Sequence, residues 1–250
     1  LERVVVPPQT AGPRIRLGAL WFFLALAAVT SGRWWTAALS ALVAAAAAFQ
    51  TGCAWGAAEP DEGSGRLAGV IAAPLAAAVP LAAGYGTGLA GAALVVVAAF
   101  AGALMLARGR ELGSAVAIAA VLPAVAASSI VLALQVDLWV ALFLVLAVSL
   151  FDAGNFLLGA EAAGRWEGPV AGAIGALAVT FTVATVGVAP LERAEWWLAG
   201  VVVAATCAVG QWVTSLLLPE PDTWVPALRR LDAYVVAGPA LVALVWALGG

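Results

Sequence analysis

The chain has 250 residues, of which 64% are hydrophobic and only 10% charged, with a mean hydropathy of +1.07 and a formal net charge of −3. An ordinary soluble domain is about 25% charged, so this composition excludes one and points to lipid as the solvent. In lipid every backbone amide must be satisfied internally, which leaves helices or a closed barrel. Barrel strands alternate apolar and polar residues, whereas Leu89–Leu106 is apolar all round. The expected fold class is therefore all-α: a polytopic integral membrane helical bundle. His is absent, and the basic residues are all Arg. His-based acid–base chemistry and His-ligated metal are thus excluded, and no basic patch supports nucleic-acid binding. The Ala-, Val-, Gly- and Arg-rich usage suggests a high-GC bacterial genome, and with it the inner (plasma) membrane of a bacterium as the location.

A single membrane domain is expected over 1–250, with a polar, Pro-containing segment over 1–16, N-terminal helices over 17–110 and a second set over 111–250. A span needs roughly 20 residues. The apolar runs in chain order are Leu17–Thr30, Trp34–Ala54, Leu67–Gly84, Thr87–Leu106, Leu112–Leu134, Leu138–Leu158, Pro169–Ala189, Trp196–Leu217 and Tyr234–Leu248, about nine transmembrane helices. The first is short enough to be a cleavable signal peptide, but the Trp34-Trp35 pair reads as an interfacial anchor for a two-span hairpin. Gly84-Tyr85-Gly86-Thr87-Gly88 reads as a tight turn, and Pro74, Pro80 and Pro123 fall inside spans. Cys53 and Cys207 show no metal or redox spacing and read as small buried hydrophobes.

Orientation follows from the arginines. With a cytoplasmic N-terminus, Arg3, Arg14, Arg16, Arg66, Arg108, Arg110, Arg165, Arg229 and Arg230 fall on the cytoplasmic side, and only Arg33 and Arg193 fall outside. That asymmetry is the positive-inside bias, and one missed helix would scramble it.

Three stretches carry the candidate chemistry. Asp152 interrupts an apolar span, and an acid at mid-membrane costs roughly 2.5–3.5 kcal/mol on insertion scales, less near the interface. Asn155, at i+3, shares its helix face, so the two could offer oxygen ligands to a cation. Glu161, Arg165, Trp166 and Glu167 lie between glycines in the following connection. Arg229, Arg230 and Asp232 precede the last span, and Arg is the natural bidentate partner of phosphate. A solvated turn and an ordinary positive-inside anchor are the plain alternatives for the last two stretches.

The order of these pieces resembles the phosphatidate cytidylyltransferase (CDP-diacylglycerol synthase) family over roughly Ser114–Val245. Asp152-Ala153-Gly154-Asn155-Phe156 is similar to the family's Asp-x-Gly-Ala-Tyr motif. Arg165-Trp166-Glu167-Gly168, followed by Gly172 and Gly175, is similar to its Lys-Thr-Trp-Glu-Gly segment. Gly210 and Ser215 remain from Gly-Asp-x-x-Glu-Ser, and Leu228-Arg229-Arg230-Leu231-Asp232 from the motif before the last span. Gln211 stands where the family carries Asp, Thr214 where it carries Glu, and Leu218-Pro219 where it carries Lys-Arg. The family's His-Gly-Gly piece is missing, and Arg229 occupies the place of an acid.

The resemblance implies transfer of CMP from CTP to phosphatidate or a related lipid phosphate. In this chain Asp152, Glu167 and Asp232 would be the catalytic acids. Arg165, Arg229, Arg230, Ser215 and Asn155 would bind phosphate. Mg²⁺ would sit on Asp152 and Asp232, with Asp222 a further candidate. The expected partners are CTP, the lipid phosphate, membrane lipids and a second copy of the chain in a homodimer. Two alternatives stay open: a catalytically inactive family member that binds a lipid headgroup or a membrane partner, and a small-molecule transporter with Asp152 in its pathway. CDP-alcohol phosphotransferase, P-loop, Rossmann and zinc-hydrolase signatures are absent.

Overall fold

The computed structural model describes residues 14–57, 64–159, 166–220 and 223–249. Among them lie nine α-helices and no strand: α1 (Arg14–Ser31), α2 (Arg33–Ala57), α3 (Ser64–Ala83), α4 (Thr87–Arg108), α5 (Arg110–Val136), α6 (Leu138–Gly159), α7 (Glu167–Val186), α8 (Arg193–Leu216) and α9 (Tyr234–Gly249), with a 3-10 turn at Leu228–Arg230 before α9. Eight spans are long and apolar enough to cross a membrane, and α1 contributes a shorter apolar run, Gly18–Ser31. The protein is a multi-pass membrane helical bundle. Each helix expected from hydropathy is present. The boundaries differ mainly because Arg14, Arg33, Arg66, Arg108, Arg110 and Arg193 lie within helices rather than in the loops between them.

Several connections are a single residue or a short turn: Gly32, Gly84–Gly86, Gly109 and Asp137. Gly32 and Gly109 have φ of 108° and 104°, backbone that a side chain would strain. Such short links force antiparallel neighbours, so successive helices alternate in direction. Cross-bundle contacts agree with the alternation. Gln135 at the end of α5 donates to the Ala83 carbonyl at the end of α3, while Trp34 stacks edge-on against Tyr85 at the same end, centroids 4.8 Å apart. Exposed Trp34, Trp35, Tyr85, Trp139 and Trp197 gather at this end, and exposed Trp166, Trp212 and Trp224 at the other. These are the two aromatic belts of a membrane protein. Arg33 and Arg193 lie at the first end; Arg66, Arg108, Arg110, Arg229 and Arg230 lie at the second.

The centre of the bundle is α5, which packs against α2, α3, α4, α6 and α9. Its small residues, among them Ala115, Ala119, Ala120, Ala124, Ala126 and Ala127, are buried on all sides. Ser128 and Ser129 return their hydroxyls to the carbonyls of Ala124 and Ala126, which removes the need for a partner on another helix. In contrast, α4 buries only Ala90, Val97 and Ala101 and turns Leu89, Val95, Val96, Phe100 and Leu106 outward. Its all-round apolar character reflects a lipid-facing position.

The α6–α7 pair sets the geometry of the polar cluster described below. A Cβ at Gly154 would lie 2.6 Å from the Ala171 carbonyl oxygen, one at Gly172 2.7 Å from that of Phe151, and one at Gly175 2.6 Å from that of Leu150. The two backbones touch, and van der Waals contact of this kind replaces the hydrophobic drive that lipid does not supply. We expect Gly172→Leu to destabilise the protein by about 1–3 kcal/mol, read as a lower unfolding midpoint in detergent. Gly91→Ala, at an exposed helical position with no atom within 4 Å, should be neutral or stabilising by up to about 1 kcal/mol. Equal midpoints for the two variants would contradict this packing.

Candidate functional site

Asp152 lies on α6 near the end of the span that carries the Arg-rich face. Its carboxylate needs a partner, because an ionisable group in a transmembrane segment is stable only when it is paired or faces the bundle interior. The partner comes from α8: Gln211 Nε2 donates to Asp152 Oδ1 at 2.8 Å. The Gln211 nitrogen thus faces Asp152, and its Oε1 faces away. Gln211 Oε1 in turn accepts from Asn155 Nδ2 at 2.8 Å. Asp152 and Asn155 do not present oxygens together as expected: Gln211 bridges them, and the Asn155 amide presents its nitrogen to Gln211. The Asn155 oxygen instead lies against Gly168 at the start of α7, where a Cβ would come within 2.4 Å of it.

The network continues along α8 into the segment before α9. Ser215 Oγ donates to the Gln211 carbonyl at 2.9 Å and accepts from Arg229 Nη1 at 2.9 Å. Arg229 Nη1 lies 3.6 Å from Asp232 Oδ2, an i,i+3 pair joined across the 3-10 turn. The other oxygen of Asp232 accepts the Ala233 backbone N–H at 2.7 Å, and Asp232 is only 4% exposed. Gly210 makes this approach feasible, since a Cβ there would lie 2.5 Å from the Asp232 carbonyl oxygen. Arg230 and Asp232 both act electrostatically on Asp152. The Arg230 guanidinium lies over Gly18 of α1, where a Cβ would be 3.0 Å from Nη1.

Six of the expected site residues therefore share one cluster: Asp152, Asn155, Ser215, Arg229, Arg230 and Asp232. They come from α6, α8 and the segment before α9. Glu167 sits exposed in the first turn of α7, beside Gly168, where a carboxylate complements the helix dipole. Arg165, Glu161 and Asp222 lie outside the described residues. Cys207 is fully buried and unbridged, as its reading as a buried hydrophobe requires, and it also lies in the field of Asp152 and Asp232.

Sequence reasoning passed over two participants. Tyr234 is 1% exposed; its hydroxyl lies beside Ser149 without completing a hydrogen bond of good geometry. Gln50 of α2 reaches the loop before α9, where its Oε1 accepts the Ala227 N–H at 3.0 Å. The available signal was a polar amide inside an apolar run. Gln50, Gln135 and Gln211 each interrupt such a run, and each makes a hydrogen bond to a distant segment of the chain.

The donor set bears on Mg²⁺. Among the described residues no group of three or more His, Cys, Asp or Glu is placed to hold a metal. Of the two acids expected to hold Mg²⁺, Asp152 has one oxygen engaged by Gln211, and Asp232 has one on the Ala233 N–H and the other toward Arg229.

A double-mutant cycle tests the central bond. Asp152→Ala and Gln211→Ala, singly and together, should show a coupling of about 0.5–1.5 kcal/mol in unfolding free energy. Additive effects would mean that Gln211 does not hold the carboxylate.

Compared with known proteins, the chain has no match: no family model matches it, and neither a curated protein nor a solved structure does so.

Proposed function

We propose that this protein acts on a lipid phosphate at the Arg-rich face of the membrane, as a divergent phosphatidate cytidylyltransferase-like protein. The reaction is the transfer of CMP from CTP to phosphatidate or a related lipid phosphate. A phosphate oxygen of the lipid attacks the α-phosphorus of CTP, the new P–O bond forms, and pyrophosphate leaves. The observation that carries this reading is convergence. Residues singled out by the resemblance in three separate stretches, Asp152-Asn155, Ser215 and Arg229–Asp232, form one hydrogen-bonded cluster. A face rich in arginine is the cytoplasmic one under the positive-inside rule, where CTP is available.

Both reactants are anions, so positioning and charge neutralisation dominate such transfers. Arg229 and Arg230 neutralise phosphate oxygens. Ser215 orients Arg229, and Gln211 holds Asp152 toward the cluster. Asp152 and Asp232 are the residues that would hold Mg²⁺, which when bound neutralises phosphate charge during transfer.

The second reading keeps the headgroup and drops the turnover. It is favoured by Gln211, whose neutral amide stands where the resembled family carries an acid and engages an oxygen of Asp152. In that reading the cluster binds the lipid phosphate and stops there.

Purified protein with phosphatidate, labelled CTP and Mg²⁺ separates the two. The enzyme reading expects Mg²⁺-dependent CDP-lipid, reduced at least about 10²-fold by Asp152→Asn, the scale for losing one stabilising group. Folded protein that binds phosphatidate and forms no product establishes the binding reading instead. Protein that neither binds phosphatidate nor forms product rules out both, and substrate flux in sealed liposomes would then point to a transporter.

A further inference from the structure

The cluster is built from the C-terminal helices, yet its arginine-bearing turn is held from elsewhere. Leu228–Arg230 is a single 3-10 turn in the connection between α8 and α9. A turn of this length has little stability of its own, because its hydrogen bonds are few and their geometry is poor. Within it the Arg229 N–H donates to the Val225 carbonyl and the Arg230 N–H to the Ala227 carbonyl. The Ala227 N–H, which starts the turn, has no acceptor in the turn itself. It finds one on α2, in Gln50 Oε1 at 3.0 Å, 177 residues away in sequence. A partly buried backbone donor without a partner is costly, so this bond fixes where the turn begins.

A second contact, independent of the first, acts on the same turn from α1. The Arg230 guanidinium rests on the bare backbone of Gly18, where any side chain would meet it. Gln50 thus anchors the backbone of the turn, and Gly18 leaves room for the side chain of its second arginine. The residues of the turn itself are tightly seated: Leu228 and Leu231 are fully buried, so a shift of the turn would require repacking the core beneath it.

We infer that Gln50 is a positioning residue for the anion-binding arginines, and that the N-terminal α1–α2 hairpin is part of the phosphate site rather than a separate membrane anchor. The ligand part of this inference rests on the lipid-phosphate reading above; the anchoring part does not. Gln50 acts through Ala227 on Arg229 and Arg230, and has no role in touching the ligand.

The test uses the full chain in nanodiscs with and without phosphatidate in a phosphatidylcholine background, comparing wild type, Gln50→Leu and Gln50→Glu. Backbone hydrogen exchange is followed over 223–233, and phosphatidate binding is measured in parallel. Gln50→Leu removes the acceptor, so Ala227 should exchange about three- to tenfold faster, the range expected for one net hydrogen bond, while α6 and α7 keep their protection. Phosphatidate affinity should fall by a similar factor. Gln50→Glu keeps an acceptor oxygen at the same reach and should restore both. Unchanged exchange at Ala227 in Gln50→Leu overturns the anchoring. Faster exchange with undiminished phosphatidate affinity overturns the link to the arginines. If wild type fails to distinguish phosphatidate from phosphatidylcholine, the lipid-phosphate reading falls and with it the ligand part, while the exchange measurement still decides the anchoring.

Discussion

A carboxyl group inside a membrane span must be met by hydrogen-bonding partners from the protein, and Asp152 sets that requirement for the Arg-rich end of this bundle. On its own helix the polar neighbours are Ser149 and Asn155, and the Asn155 amide nitrogen is turned to Gln211. The requirement is met by α8 through Gln211. For α8 to stand there, the segment before α9 must pass within van der Waals contact of Gly210. For Asn155 to share the same amide, α7 must approach α6 closely enough that Gly168 lies against it. Around this one carboxyl group, close approaches thus fall at glycines on two other helices. Such coupling is expected where low dielectric makes an unsatisfied polar group expensive and a satisfied one strong.

The rest of the bundle follows the usual economy of membrane helices. Apolar residues gain little by leaving lipid for protein, so stability comes from close backbone packing and a few cross-helix hydrogen bonds. Here α5 provides the packing surface, lined by alanine on all sides. Three glutamines provide the staples, one near the Arg-poor end between α5 and α3 and two at the Arg-rich end. Glutamine suits this use because one side chain both donates and accepts. Gln211 exploits both functions at once, which a carboxylate in the same position could not do beside Asp152.

The Gln211 amide is central to the cluster. Two carboxylates facing each other would repel unless a cation lay between them. With Gln211 in place, the Asp152 carboxylate is held by a neutral donor, while Asp232 is held by Arg229 and a backbone amide. The cluster is therefore organised before any ligand arrives. The proposed lipid-phosphate reading rests on this arrangement of two arginines, a serine and two acids at the Arg-rich end.

What the sequence alone determined was everything that hydropathy and charge encode locally: the nine helices, their alternation and the arginine-rich end. The Arg229–Asp232 pairing was close to legible as well, because i,i+3 neighbours in one turn are near each other in any helical backbone. Helix ends were less so. Arginines that looked like loop residues extend the helices, their long side chains keeping the charge at the interface while the backbone stays hydrogen-bonded. What only the tertiary structure decided was which polar groups meet. Gln211 looked like the loss of an acid, and its role as a bridge depends on the rotation of α8 against α6. Gln50 offered no more than an amide in an alanine-rich run, and its partner lies 177 residues away. Tyr234 reads as the first residue of a span, and its burial with the hydroxyl beside Ser149 of α6 follows from the depth at which α9 begins. Hydropathy fixes how deep a helix lies in the membrane, but rotation and register between helices come from packing, and packing decides the contacts.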